Sequence, residues 1–275
     1  MIRSMYSAVT GLKGHQTMLD VIGNNIANVN TAGFKSSRVL FKDLYYQTLS
    51  ASSDPSDTTG GTSAKQIGYG SSVSSIDLLT TRSGYQQTGR PLDMYISGEG
   101  YFMLQDSSGK ELYTRIGSFK FNPNGTLIDT NGNFVLGALP SYPDADEPMV
   151  IKIDDFDKYT GIYIAGDGKI VGTNTETKQI DTLAQIIVST FSNPEALSQE
   201  GNMYYTITKS SGEAQLTTPG STTAGSLVSG GLEMSNVDLT KEFTDMIVAQ
   251  RGFQANSRVI STSDQVLEEL VNLKR

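Results

Sequence analysis

The chain has 275 residues, 37% of them hydrophobic, and a formal net charge of −8, enough apolar material for one large domain or two modest ones. Its acidic balance, with no dense Lys/Arg run, leaves nucleic acid as a partner without the counterion-release term that drives such binding. Cysteine is absent and His15 is the single histidine, which excludes disulfides, thiolate nucleophiles and sulfur-ligated zinc and leaves any catalytic triad one imidazole to draw on.

The first pattern along the chain is helical. Met5, Leu12, Leu19 and Ile26 recur every seven residues, and Ala8, His15, Ile22 and Val29 form a second row three residues later. His15 falls inside this apolar seam and reads as a packing residue. Near the helix end, Asn24, Asn25 and Asn28 offer amides to free backbone groups and Gly33 permits a sharp exit, which predicts a helix-to-linker bend. Residues 31–70 read as an extended linker region, within which 50–63 hold no large apolar side chain. No apolar run reaches the about 18 residues of a membrane span, and no signal-peptide pattern opens the chain, so membrane insertion is not expected and export needs another route.

Residues 71–235 predict an all-β antiparallel outer domain. Short β-branched and aromatic runs such as YFMLQ, GNFVLGAL and AQIIVSTF alternate with turn signals at Ser108-Gly109, Asn124-Gly125, Asn131-Gly132 and Asp167-Gly168. A polar stretch over 217–231 returns the chain to a second helix. There Leu239, Met246, Phe253, Ile260 and Leu267 repeat every seven residues, flanked by Phe243, Ala249, Leu270 and Val271. Ser235, Asn236 and Asp238 supply N-cap oxygens, and a helix from Asp238 to Asn272 would span about 50 Å. The expected fold is multidomain α and β: paired long N- and C-terminal helices, coiled-coil-like, formed by 1–30 with 236–275, plus the β domain.

No catalytic, cofactor-binding or metal-ligating residue is expected. Gly98-Glu99-Gly100 opens like a dinucleotide fingerprint, but its third glycine is missing and strand residues follow. Asp129-Thr130-Asn131-Gly132-Asn133 begins like a calcium loop, yet Phe134 takes the glycine position and Pro140 the bidentate glutamate position. The acids Asp144, Asp146, Glu147, Asp154, Asp155 and Asp157 read as a solvated loop. A secreted polysaccharide-binding or polysaccharide-hydrolysing protein is the lesser alternative such a cluster leaves open.

Both chain ends carry a further signal. Leu19-Asp20-Val21-Ile22-Gly23-Asn24-Asn25-Ile26-Ala27-Asn28 with Gly33-Phe34-Lys35, Ile96-Ser97-Gly98-Glu99-Gly100-Tyr101-Phe102, Tyr113-Thr114-Arg115, and Leu232-Glu233-Met234-Ser235-Asn236-Val237-Asp238-Leu239 together resemble the bacterial flagellar rod and hook axial proteins. Ile247-Val248-Ala249-Gln250-Arg251-Gly252-Phe253 is nearest the hook members, whereas the compact length is nearest the distal rod. The resemblance implies a non-enzymatic subunit of a helical homopolymer: a flexible, torque-transmitting hook tube, or alternatively a rigid rod. It also implies delivery by the flagellar type III export apparatus without a cleaved signal, an extracellular place in the flagellum, and contacts with rod, hook cap and hook–filament junction proteins. Met5, Leu12, Leu19, Ile22, Ile26, Val29, Leu239, Phe243, Met246, Phe253, Ile260, Leu267 and Leu270 would then be the assembly seam.

Overall fold

A computed structural model of the chain describes residues 2–54, 60–139 and 148–273. Asp144, Asp146 and Glu147 of the acidic loop lie outside the described residues. The chain divides into two compact units, one of residues 1–27, 36–79 and 237–275, the other of 28–35 and 80–236.

The helical unit holds α1 (Ile2–Ala27), β1 (Ser37–Asp43), β2 (Tyr46–Ser50), β3 (Lys65–Gly68), β4 (Ser71–Leu78) and α2 (Leu239–Asn272). The start of α2 follows from its cap: Asp238 is extended, and its carboxylate accepts the Thr240 and Lys241 N–H groups at 2.9 and 3.3 Å. Two of the first-turn donors that a helix cannot pair internally are thereby satisfied. β1 and β4 pair antiparallel from Ser37↔Leu78 to Asp43↔Ser71, with a bulge at Leu40/Phe41, and β2 pairs with β3 as a separate ribbon. The stretch read as extended linker therefore carries paired strands. The exposed faces of β2 and β3, with Tyr46, Leu49 and Ile67 open to solvent, give little of the alternation by which strands are recognised in sequence. α1 packs against β1, β4 and α2. Among the described hydrophobic residues of this unit, only Ala8, Ile22, Leu78 and Ala249 are buried.

The β unit is built otherwise. Its strands are β5 (Tyr85–Gln87), β6 (Asp93–Ser97), β7 (Tyr101–Gln105), β8 (Glu111–Thr114), β9 (Gly117–Phe121), β10 (Leu127–Asp129), β11 (Phe134–Ala138), β12 (Met149–Val150), β13 (Tyr159–Ile164), β14 (Lys169–Asn174), β15 (Ile180–Ile186), β16 (Val188–Thr190), β17 (Ser198–Gly201), β18 (Tyr204–Thr206), β19 (Gln215–Thr217), β20 (Ser226–Ser229) and β21 (Gly231–Glu233). The order β17-β18-β8-β7-β11-β10-β9-β6-β20 forms the spine of one antiparallel sheet, and β5 pairs with β21 apart from it. Each of the four turn dipeptides joins neighbouring antiparallel strands, with Gly109, Gly125, Gly132 and Gly168 at φ between 74° and 89°. Inward residues of these strands make the core, where Phe102, Leu104, Phe119, Leu127, Ile170 and Ile186 are sealed from solvent. Edge-on ring pairs lock it: Phe102 meets Phe119 at 5.2 Å, and Tyr113 meets Phe191 at 5.0 Å.

Candidate assembly surface

The two terminal helices run antiparallel, and glycine notches set their register. A Cβ on Gly11 would lie 2.7 Å from the Asn256 amide, and one on Gly252 would lie 2.5 Å from the His15 ring. Each helix thus presents a polar knob to a glycine of the other, which brings the backbones close without large aliphatic side chains between them. His15 also meets the Phe41 ring at 6.2 Å. Its Nδ1 is buried with no hydrogen-bond partner among the described residues, as befits a ring used for shape.

At the other end of the helix pair, Asn25 is 1% exposed. Its amide donates to the Ser37 carbonyl at 2.8 Å and accepts the Ser37 N–H at 3.0 Å, standing in for one rung of a β-ladder. The same Nδ2 donates to Glu242 Oε1 at 3.1 Å, so one side chain ties α1, β1 and α2 together. Burial raises the Glu242 carboxyl above the usual range, an effect that the Asn25 hydrogen bond opposes.

Within the seam read from sequence, Ile22 is buried, and Met5, Leu12, Leu19, Ile26, Met246, Ile260 and Leu267 are half-buried. Leu239, Phe243, Phe253 and Leu270 are exposed, at 38–50%, as are Ile247 and Val248. The α2 stripe that does lose solvent runs through Glu242, Met246, Ala249, Gly252, Asn256 and Ile260, a mixture that hydrophobic periodicity alone does not reveal. Of the bend residues, Asn24 is exposed on α1 and Asn25 holds β1.

Asn28, Val29 and Gly33 belong to the β unit. Asn28 accepts the Thr31 hydroxyl at 3.1 Å, Val29 is half-buried, and Gly33, at φ 71°, donates its N–H to the Glu233 carbonyl at 2.8 Å. Next to it lies an ionic staple that the sequence did not announce. Lys35 Nζ reaches Glu233 Oε1 at 2.6 Å, and Arg115 Nε reaches Glu233 Oε2 at 2.9 Å. The remaining donors of Arg115 go to the Gly98 and Gly100 carbonyls, and Lys35 also donates to the Thr81 carbonyl at 2.9 Å. None of the three side chains exceeds 5% exposure. Burial pulls the Lys35 ammonium below its ordinary pKa, against the pull of Glu233. Burial likewise pushes the neighbouring Tyr101 hydroxyl up to about 12.

No grouping of three or more His, Asp or Glu suited to a metal ion occurs among the described residues, and no described helix is long and apolar enough to cross a membrane.

Three family models match along the chain: flagella basal body rod protein over residues 5–35, flagellar hook protein FlgE/F/G D1 domain over 95–172, and flagellar basal body rod FlgEFG protein C-terminal over 228–273. The flagellar basal-body rod protein FlgG of Bacillus subtilis is 48% identical over 280 residues, with 100% of each chain covered. The FlgG of Buchnera aphidicola subsp. Acyrthosiphon pisum is 37% identical, covering 99% of this chain and 100% of that one. The flagellar hook protein FlgE of Borreliella burgdorferi is 29% identical in an alignment of 445 residues, again with 100% of each chain covered.

Proposed function

Since the chain belongs to the family of bacterial flagellar rod and hook proteins, structural components of the flagellum and not enzymes, we propose that it is a distal rod subunit that polymerises through its helical unit into a stiff hollow shaft. One observation carries the choice of rod. The similarity to rod proteins runs end to end at nearly equal length, whereas alignment with the hook relative stretches to 445 residues and so needs additional chain. The described residues form one β unit beside the helical one.

The hook reading, which the residues around Val248 favour and the FlgE relative supports, is the second. Both readings use the same contacts: apolar side chains left open on α2, among them Phe243, Phe253 and Leu270, find cover on neighbouring copies. Other rod and hook proteins are its further partners, and the type III export apparatus is its route out.

Electron microscopy of the concentrated full-length chain, with sheared polymer as seeds, beside a variant lacking 1–30 and 236–275, tests this. Straight tubes from the full chain alone are expected. Curved or supercoiled tubes would transfer the assignment to the hook, and the absence of polymer from seeded full-length chain would sink the self-assembly reading.

A further inference from the structure

In the register set by the glycine notches, Ile2 at the start of α1 stands opposite Gln265 on α2. The last two turns of α2 therefore have no described partner along α1. They are strongly apolar: Val266, Leu270, Val271 and Leu273 are 43–82% exposed, and Glu268 and Glu269 sit among them. An unsupported apolar helix end of this kind costs free energy in water unless something covers it.

The opposite end of the same unit offers a cover. A groove of about 220 Å³ opens between the C-terminal half of α1, the start of β1 and the first turns of α2. Its floor is Met18, Ile22, Val39 and Leu79. Arg38, Lys241, Glu242 and Asp245 line it as well. The groove has room for branched aliphatic side chains but not for a whole helix, which suits a tip presenting one apolar edge. The acids Glu268 and Glu269 beside that edge match Arg38, whose side chain is 56% exposed and held only by Asp77 at 3.7 Å.

We infer that the α2 tip of one copy, through Leu270 and Val271, seats in the Met18–Ile22–Val39–Leu79 groove of a second copy. The inference rests on the self-assembly reading and supplies its contact. Tip and groove lie 28 residues apart along α2, from Glu242 to Leu270, or about 42 Å at the helical rise. One copy cannot reach itself across that distance. Because the two patches differ, the contact is heterologous, and copies joined by it extend head to tail instead of closing into a pair.

The absence of cysteine makes the test direct. Val271→Cys and Val39→Cys are introduced singly and together into the full-length chain, which is polymerised from seeds and oxidised. Mixed single variants are expected to give a cross-linked pair of one copy of each, neither single variant alone giving a comparable product. The double variant is expected to give a ladder at successive multiples of the monomer. Polymer that forms without this cross-link overturns the tip-and-groove contact and leaves self-assembly standing. A double variant whose ladder stops at the dimer overturns the head-to-tail arrangement. Failure of the unsubstituted chain to polymerise from seeds overturns the reading beneath both.

Discussion

The two units of this chain solve the burial problem in opposite ways. The β unit closes a core of interlocked aromatic and branched side chains within one copy, whereas the helical unit buries four of its described hydrophobic residues and leaves Phe243, Ile247, Val248, Leu270 and Val271 facing water. Since stability scales with apolar area removed from solvent, the β unit has its cover within one copy, whereas on the proposed reading the helical unit draws the missing surface from other copies. An element destined for a polymer interface is recognisable by the cover it lacks.

That contrast can be broken from either side. The largest effect expected is loss of polymerisation in Phe253→Asp, since a carboxylate on the exposed α2 face would be desolvated at a subunit contact. Sedimentation should find only monomer, with the denaturation curve of the β unit unmoved; polymer at the unsubstituted level would show that this face is not an interface. Glu233→Ala should do the reverse, striking the finished unit. It strands Lys35 and Arg115 in the interior and should lower β-unit stability by about 3–5 kcal/mol, read from urea melts followed by tyrosine fluorescence.

Alkaline pH should separate the units next. Unfolded tyrosines ionise near pH 10. Burial pushes Tyr101 and Tyr204 up to about 12 and also raises Tyr113 and Tyr205. Above pH 10 the native β unit holds protons that the unfolded chain has lost, so its stability should fall as pH rises, with only the single lowered Lys35 acting in the opposite sense. Absorbance titration should show these rings ionising together with unfolding; independent ionisation in the folded state would contradict their burial.

Smaller effects probe the helical unit. Asp238→Ala removes the N-cap and should cost about 1 kcal/mol, visible as faster hydrogen exchange over the first turn of α2. Glu242, raised by burial, penalises the native state once ionised, so the helical unit should gain stability as pH falls through its pKa. Glu242→Gln should flatten that dependence above the ordinary carboxylate range while leaving the β-unit transition unchanged.

Local chemistry made much of this architecture legible. The Asp238 cap marks the start of α2 to the residue, and the Gly-containing turns locate four strand junctions, because each depends on neighbours in sequence. Heptad spacing placed the helices and part of the face on which they meet, Ile22, Met246 and Ala249 among it. The observed contact at Gly11–Asn256 and Gly252–His15 uses small and polar residues, of which apolar periodicity picks out His15 alone. Asn25 was legible as a backbone-satisfying amide, though its partner, Ser37, is 12 residues away. The Lys35–Glu233 pair spans 198 residues, and nothing local to either residue announces the other. Strands β2 and β3 were hidden for another reason: a ribbon exposed on both faces lacks the alternation that burial would impose.

The staple has a mechanical consequence. The chain passes between the units through residues 28–35, at 79–80 and after 236, and the first and last of these passages are both fastened at Glu233, through its side chain to Lys35 and through its carbonyl to Gly33. Tension applied through these two passages meets at that residue, which Arg115 in turn ties to the Gly98 and Gly100 carbonyls. A pull on either passage is thus shared with the other through a single buried carboxylate.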